Sequence, residues 1–156
     1  MLTFIEINGD MFADEPDILV CPTNCLGVMG AGLAKKFRMK FQSASKRYTN
    51  RCETSDITPG DLIIFHEEGK TLWFIPTKND WRNGSEMEWI KKGIIHIRKE
   101  IAIVSLSKVL IKIHIPALGC GLGGLDWNEV KAIFESEFEP FADNPNIHIK
   151  IFAPQN

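Results

Sequence analysis

Two glycine-rich segments constrain this chain more than anything else in it. The first is Asn24-Cys25-Leu26-Gly27-Val28-Met29-Gly30-Ala31-Gly32, and the second is Gly119-Cys120-Gly121-Leu122-Gly123-Gly124-Leu125-Asp126-Trp127. Each follows an apolar, strand-like run and leads into a stretch of helical periodicity. A strand–glycine loop–helix junction leaves backbone N–H groups free at the helix start. Those groups, together with the helix dipole, suit an anion and above all phosphate. Two such junctions in one small domain point to a ligand with two phosphates, gripped from both sides.

The remaining pattern supplies the frame. Leu2 to Ile7 alternates like a strand, and Ile18 to Cys21 reads as a short buried strand. Leu33, Phe37, Phe41, Ala44 and Tyr48 recur at helical spacing, which predicts one helix from Gly32 to about Tyr48. After the turn signal Pro59-Gly60-Asp61, Leu62 to His66 and Thr71 to Pro76 flank Glu67-Glu68-Gly69-Lys70 and read as a β-hairpin. Ser85-Glu86-Met87-Glu88 has the form of a capping box opening a helix, whose apolar face runs through Met87, Ile90, Ile94, Ile97, Ile101 and Val104. Ile111 to Ile115 is a strand. Asp126 opens a further helix to about Phe138, and Ile147 to Phe152 is the last strand. The order β-β-α-β-β-α-β-α-β predicts an α/β fold, a three-layer sandwich with a mixed central sheet. Both glycine loops then lie at the carboxyl ends of strands, where such sheets bind ligands.

The bulk numbers narrow the function. The 156 residues, 44% hydrophobic, fit a single domain with a full core. The net charge of -2, from 18 basic and 20 acidic residues, argues against broad electrostatic adhesion to nucleic acid or membrane, though not against contact with one modified nucleotide in a pocket. Cys21 and Cys25 have no partner pair at matching spacing, so a structural zinc site is not expected. Nothing reads as a signal peptide or a bilayer-spanning run, and a reducing cytosol with free thiols is the simplest setting.

The residues resemble one family closely. Pro22-Thr23-Asn24-Cys25, Met29-Gly30-Ala31-Gly32, Ile75-Pro76-Thr77-Lys78 and Ala117 through Trp127 are similar to the motifs of macrodomains, the ADP-ribose-binding α/β fold. The resemblance covers the chain from Asn8-Gly9-Asp10 to Phe152. It is nearest to the terminal ADP-ribose glycohydrolase type, which includes antitoxins that reverse DNA ADP-ribosylation. It implies that Asp10, with Met11 beside it, receives the adenine amino group and that Phe152 lies near adenine. Asn24 would contact the distal ribose. Met29, Gly30, Ala31 and Gly32 on one side, and Gly119, Cys120, Gly121, Leu122, Gly123 and Gly124 on the other, would hold the diphosphate and distal ribose, with Thr77 nearby. Read from the residues alone, Asp10 is an Asx-turn aspartate and Phe152 an ordinary core aromatic.

Lys78 is the sharpest candidate. In the glycohydrolase type that the chain resembles, a lysine in this setting attacks C1″ of the distal ribose and holds the opened sugar as a covalent adduct. An amine attacks only when neutral, and proton transfer requires a carboxylate nearby. Human-type members place an aspartate directly after Gly121-Leu122, where this chain has Gly123; the antitoxin-like members share the glycine. Asp126 is the nearest carboxylate in sequence and is also the expected helix N-cap. Asp80 is a second candidate. Trp81 and Arg82 either touch what lies beyond the distal ribose or simply pack and solvate. Cys25 and Cys120 lack a paired histidine and read as small packing residues.

The expectation is therefore an ADP-ribosyl glycohydrolase acting on DNA bases or acidic protein side chains, with Lys78 and Asp126 as the catalytic pair, no cofactor and no metal. The alternatives are a non-catalytic reader of ADP-ribose and an ADP-ribose 1″-phosphate phosphatase. A monomer is the default expectation. The full antitoxins of this kind carry a further carboxyl-terminal domain that contacts the toxin. A chain ending at Asn156 is thus expected to act by enzymatic reversal, protecting a bacterial or phage genome, and not by neutralising a toxin through binding.

Overall fold

The computed structural model describes residues 1–155. Six strands, β1 (Leu2–Ile5), β2 (Ile18–Asn24), β3 (Ile63–Glu67), β4 (Lys70–Lys78), β5 (Ile111–Pro116) and β6 (Ile147–Phe152), form one sheet in the order β1-β6-β5-β2-β4-β3. Every neighbouring pair is parallel except β3–β4, so the sheet is mixed, as the sequence order implies. Four helices cover it: α1 (Gly32–Lys40), α2 (Gln42–Thr54), α3 (Met87–Val104) and α4 (Trp127–Phe138).

Alternation along the strands divides the core into two layers. Ile18, Val20, Trp73, Ile75, Ile113, Ile115, Ile149 and Ile151 pack against α3 and α4. Leu19, Cys21, Leu72 and Phe74 face the other way, onto α1 and α2. The isoleucine stripe of α3, Ile90, Ile94, Ile97 and Ile101, is completely buried. Each such side chain contributes on the order of 1.5–3 kcal/mol of burial. The helix is therefore fixed by its apolar face and needs no strong cap.

Ser85 does not cap α3. Its N-cap is Glu86, which makes no side-chain capping bond, and Ser85 turns instead to the second glycine loop, donating its N–H to Gly123 O at 3.0 Å. The expected single helix from Gly32 to Tyr48 is a second correction. It breaks at Phe41 (φ -125, ψ 68) into α1 and α2. The apolar spacing was read rightly, since Phe37, Phe41, Ala44 and Tyr48 are all buried. A sheet surface twists, however, and one straight helix does not follow it. The break lets Phe37 meet Phe12 (ring centroids 5.0 Å apart) while Tyr48 stacks on Phe74 (4.8 Å, 10°). The new helix start is stabilised from a distance: Glu67 Oε1, at the end of β3, accepts the N–H of Ala44 at 2.6 Å. β1 also ends two residues early, at Ile5, while β2 and β4 run on to Asn24 and Lys78.

Glu67→Ala is expected to cost about 1 kcal/mol, the usual worth of a helix cap, while Glu67→Gln retains most of it. Urea unfolding of the two variants checks this.

Candidate functional site

The sheet parts where the two glycine loops leave it. Asp17 clamps β2, β4 and β5 together at their amino ends. Its N–H and carboxylate pair with Lys112 O (2.9 Å) and Lys112 N (2.8 Å), and its carbonyl accepts from Thr71 N (2.9 Å). The β2–β5 ladder then stops at Leu19↔His114. Beyond it, β2 stays with β4 as far as Asn24, and β5 stays with β6 as far as Pro116. From those ends the chain crosses to opposite faces, β2 into α1 and β5 into α4. Adjacent parallel strands with diverging connections make a crevice at their carboxyl ends, the general ligand position of open α/β sheets.

The first loop is built on Asn24. This side chain is buried, and most of its capacity goes into the loop itself. Its amide donates to Val28 O at 2.8 Å, and its carbonyl accepts from Leu26 N and Val28 N, both at 3.1 Å. One amide hydrogen is left for anything outside. α2 supports the loop from below, with Tyr48 Oη donating to Asn24 O (2.8 Å) and Thr49 Oγ1 to Gly27 O (2.9 Å). Gly27 has φ +75, and a Cβ there would stand 2.9 Å from Thr49 Cα. Met29 is buried, whereas Gly30, Ala31 and Gly32 are exposed. A Cβ at Gly30 or Gly32 would meet nothing within 4 Å. The first turn of α1 has neither a side-chain cap nor an acidic residue. Its amides are thus unshielded by any anion of the protein's own, as an anion site requires.

The second loop divides its glycines into two kinds. Gly119 (φ +76) is wedged over Ile90 and Leu125, each 2.9 Å from a would-be Cβ, and its carbonyl accepts Leu125 N at 2.9 Å. Gly123 is closed as well, because a Cβ would overlap Ser85 Oγ and come within 2.5 Å of Gly119 O. An aspartate at position 123 would require this loop to shift. Gly121 and Gly124 look onto open space, and Leu122 between them is 77% exposed. Ser85 was missed as a site residue in the sequence, where it read as a cap. Its Oγ and that of Thr23 are buried without hydrogen-bond partners.

Lys78 ends β4 directly beside Asn24, and its carbonyl accepts Cys25 N at 3.1 Å. The residue is only 9% exposed. Its Nζ donates to Trp81 O at 3.4 Å, and among the described residues it makes no ion pair. A buried lysine without a carboxylate is not a solvated surface charge. Both candidate carboxylates already hold a partner. Asp126 is exposed and caps α4, its Oδ2 accepting Glu129 N at 3.1 Å. Asp80 is bound in a fork by Arg82, whose guanidinium and N–H hold the carboxyl down to about 2. Arg82 in turn lies over the half-exposed Trp81 ring at 5.6 Å. Thr77 is buried and turns its hydroxyl inward to Thr23 O (3.3 Å).

At the far end of the same sheet edge, Asp10 and Phe152 share a cleft of about 300 Å³ with Asn8, Gly9 and Lys150. Asp10 Oδ1 accepts Phe12 N at 2.9 Å, an Asx turn in which Oδ2 has no hydrogen-bond partner among the described residues. Met11 is buried, and its carbonyl bonds His114 Nδ1 at 2.8 Å. Burial lowers the His114 pKa, so a neutral ring donating from Nδ1 fits. Gly9 carries no Cβ because Phe152 Cδ1 would be 2.5 Å away.

Burial pushes the thiols of Cys25 and Cys120 up to about 11. Both are neutral thiols at pH 7, as packing residues should be. Their alkylation by iodoacetamide is expected to be slow at pH 8 and to rise roughly tenfold per pH unit up to about pH 10, because only the thiolate reacts. Mass spectrometry of labelled peptides reads it. For the second loop, Gly123→Ala is expected to cost about 1–3 kcal/mol by overpacking, and Ser85→Gly does not relieve it, since Gly119 O remains. Gly121→Ala stays within about 1 kcal/mol of the parent. Denaturant midpoints separate the two.

Comparison with known proteins gives a consistent result. A family model described as Macro domain matches residues 20–134. The DNA ADP-ribosyl glycohydrolase of Mycobacterium tuberculosis is 29% identical over 151 residues, which cover 94% of this chain; the chain spans 41% of that relative's own length. Among solved structures, the macrodomain of Mycobacterium tuberculosis DarG matches with a TM-score of 0.86 at 29% identity, covering 99% of this chain and 98% of the other. Thermosipho africanus DarTG in complex with ADP-ribose matches with a TM-score of 0.81 at 26% identity, over 97% of this chain and 42% of the other.

Proposed function

The chain belongs to the macrodomain family, and from that premise we propose that it is an ADP-ribosyl glycohydrolase that removes ADP-ribose from modified DNA bases with Lys78 as nucleophile. The observation that carries the reading is Lys78 itself, nine-tenths buried, free of any ion pair among the described residues, and next to Asn24 at the mouth of the crevice. Relatives at 29% identity are named for DNA ADP-ribosyl glycohydrolase activity, and one similar structure holds ADP-ribose. The chain covers only part of those relatives, so activity and substrate are carried over as a proposal.

On this reading the ligand lies along the carboxyl edge of the sheet. Adenine occupies the cleft of Asp10 and Phe152, with the free Asp10 oxygen accepting the amino group. The diphosphate sits between the α1 start at Gly30–Gly32 and the open amides around Gly121 and Gly124. The remaining Asn24 amide hydrogen serves the distal ribose. The Lys78 amine attacks C1″, the glycosidic bond breaks, and the base leaves with the bonding pair and takes up a proton. Water then releases ADP-ribose and restores the amine. A buried site favours this by excluding water until the adduct forms. With Asp126 committed to capping and Asp80 to Arg82, proton transfer falls to solvent or to the substrate's own hydroxyls. The setting proposed is a reducing cytosol, in which the enzyme reverses the damage of a DNA-modifying toxin, including one used in defence against phage.

Lys78→Ala is expected to leave ADP-ribose affinity within a few-fold and to lower release from an ADP-ribosylated oligonucleotide by about 10³ or more. Asp126→Asn, which keeps the cap, is expected to retain release within a few-fold, whereas a catalytic carboxylate would lose it. Single-turnover assays with an ADP-ribose 1″-phosphate control decide. If the parent binds ADP-ribose and releases nothing, the reader function replaces this one.

A further inference from the structure

The net charge of -2 conceals a strong segregation. Residues 32–52, which make up α1 and nearly all of α2, hold seven of the 18 basic residues and none of the 20 acidic ones, so the rest of the chain carries 11 basic against 20 acidic. Four of the seven are on α1 (Lys35, Lys36, Arg38, Lys40) and three on α2 (Lys46, Arg47, Arg51), and all are exposed. Six other cations form the ion pairs of the structure; among the described residues none of these seven does. Lys40 lies over Phe12, and Arg47 and Arg51 lie over Phe65, which leaves Lys35, Lys36, Arg38 and Lys46 uncommitted.

A groove of about 350 Å³ runs across this face between Arg38, Met39, Gln42, Ser45, Lys46 and Thr49. Thr49, one of its lining residues, also hydrogen-bonds Gly27 O and so supports the first glycine loop from this side. We propose that the outer face of α1 and α2 is a docking surface for the phosphodiester backbone of the DNA strand whose modified base enters the crevice. This rests on the DNA glycohydrolase reading and extends it from the ADP-ribose to the polymer.

Three observations select this occupant. The two helices present seven cations outside any ion pair against one exposed carboxylate of their own, Glu53 in the last turn of α2, an excess of positive charge that suits a polyanion. The surplus of acidic residues elsewhere repels the same polyanion, so binding has one orientation. The apolar sides of both helices, Phe37, Phe41, Ala44 and Tyr48, are buried in the core, so no amphipathic face is left to enter a lipid surface. α1 also starts at Gly32, where the first glycine loop ends, so this face adjoins the site.

The test compares the parent chain with the triple variant K35Q/R38Q/K46Q on two substrates, an ADP-ribosylated oligonucleotide and the same ADP-ribosylated base as a mononucleoside. Thermal melting verifies that the variant is folded. The expected result is about a tenfold or greater loss of kcat/KM on the oligonucleotide, no more than about a twofold change on the mononucleoside, and a salt slope shallower by about 2 for three lost phosphate contacts. Equal rates on the oligonucleotide for parent and variant, or a loss shared by both substrates, overturn the docking surface while leaving the hydrolase intact. If the parent releases nothing from either substrate, the hydrolase reading fails by itself. Fluorescence anisotropy with an unmodified single-stranded oligonucleotide then tests the surface alone, and it requires salt-sensitive binding that the variant weakens. Binding to phosphatidylserine vesicles or to a poly-glutamate peptide as tight as to the oligonucleotide also overturns it.

Discussion

The parting of β2 from β5 is the constraint on which the rest of the molecule depends. Asp17 holds these two strands together at one end, through both its backbone and its carboxylate. Nothing in the ladder holds them beyond Leu19 and His114. Helix layers on opposite faces then draw the two outgoing chains apart. A continuous ladder would have left no room at the switch point, and each glycine loop would have been an ordinary surface turn. The crevice is therefore a property of sheet topology, and the glycines exploit it.

Around that opening, rigidity is supplied from outside the loops. α2 secures the first through Tyr48 and Thr49. Ile90 of α3 and the Ser85 backbone secure the second. Asn24 spends its side chain on holding its own loop in shape. A ligand that finds its hydrogen-bond donors already oriented loses less entropy on binding. The bend at Phe41 serves the same end, because it brings Tyr48 onto Phe74 and beneath Asn24.

Charge is arranged with equal economy. Lys78 is buried at the crevice without an ion pair among the described residues, while Asp80 is paired with Arg82 and Asp126 caps the start of α4. The neighbouring thiols stay neutral. Cations without partners gather instead on the outer face of α1 and α2, where they meet solvent. The two features share a boundary at the first glycine loop.

Much of this was legible in the residues. Apolar alternation and periodicity gave six strands and the helical stretches, because burial of one face leaves its period in the sequence. The glycine loops and Lys78 were visible as motifs at strand ends. What stayed hidden depends on partners distant in the chain. The helix break at Phe41 rests on a cap from Glu67, 23 residues beyond Ala44. Ser85 looked like a local cap, yet it packs on Gly123. Gly119 and Gly123 look the same in sequence as Gly121 and Gly124, but only the first pair is walled in. The sequence by itself determined which residue types stand at which strand ends, since those follow from local pattern. The folded contacts alone settle which glycines are walled in and which look onto open space, and that Ser85 joins the second loop. Those are matters of distance in space, and local periodicity does not record them.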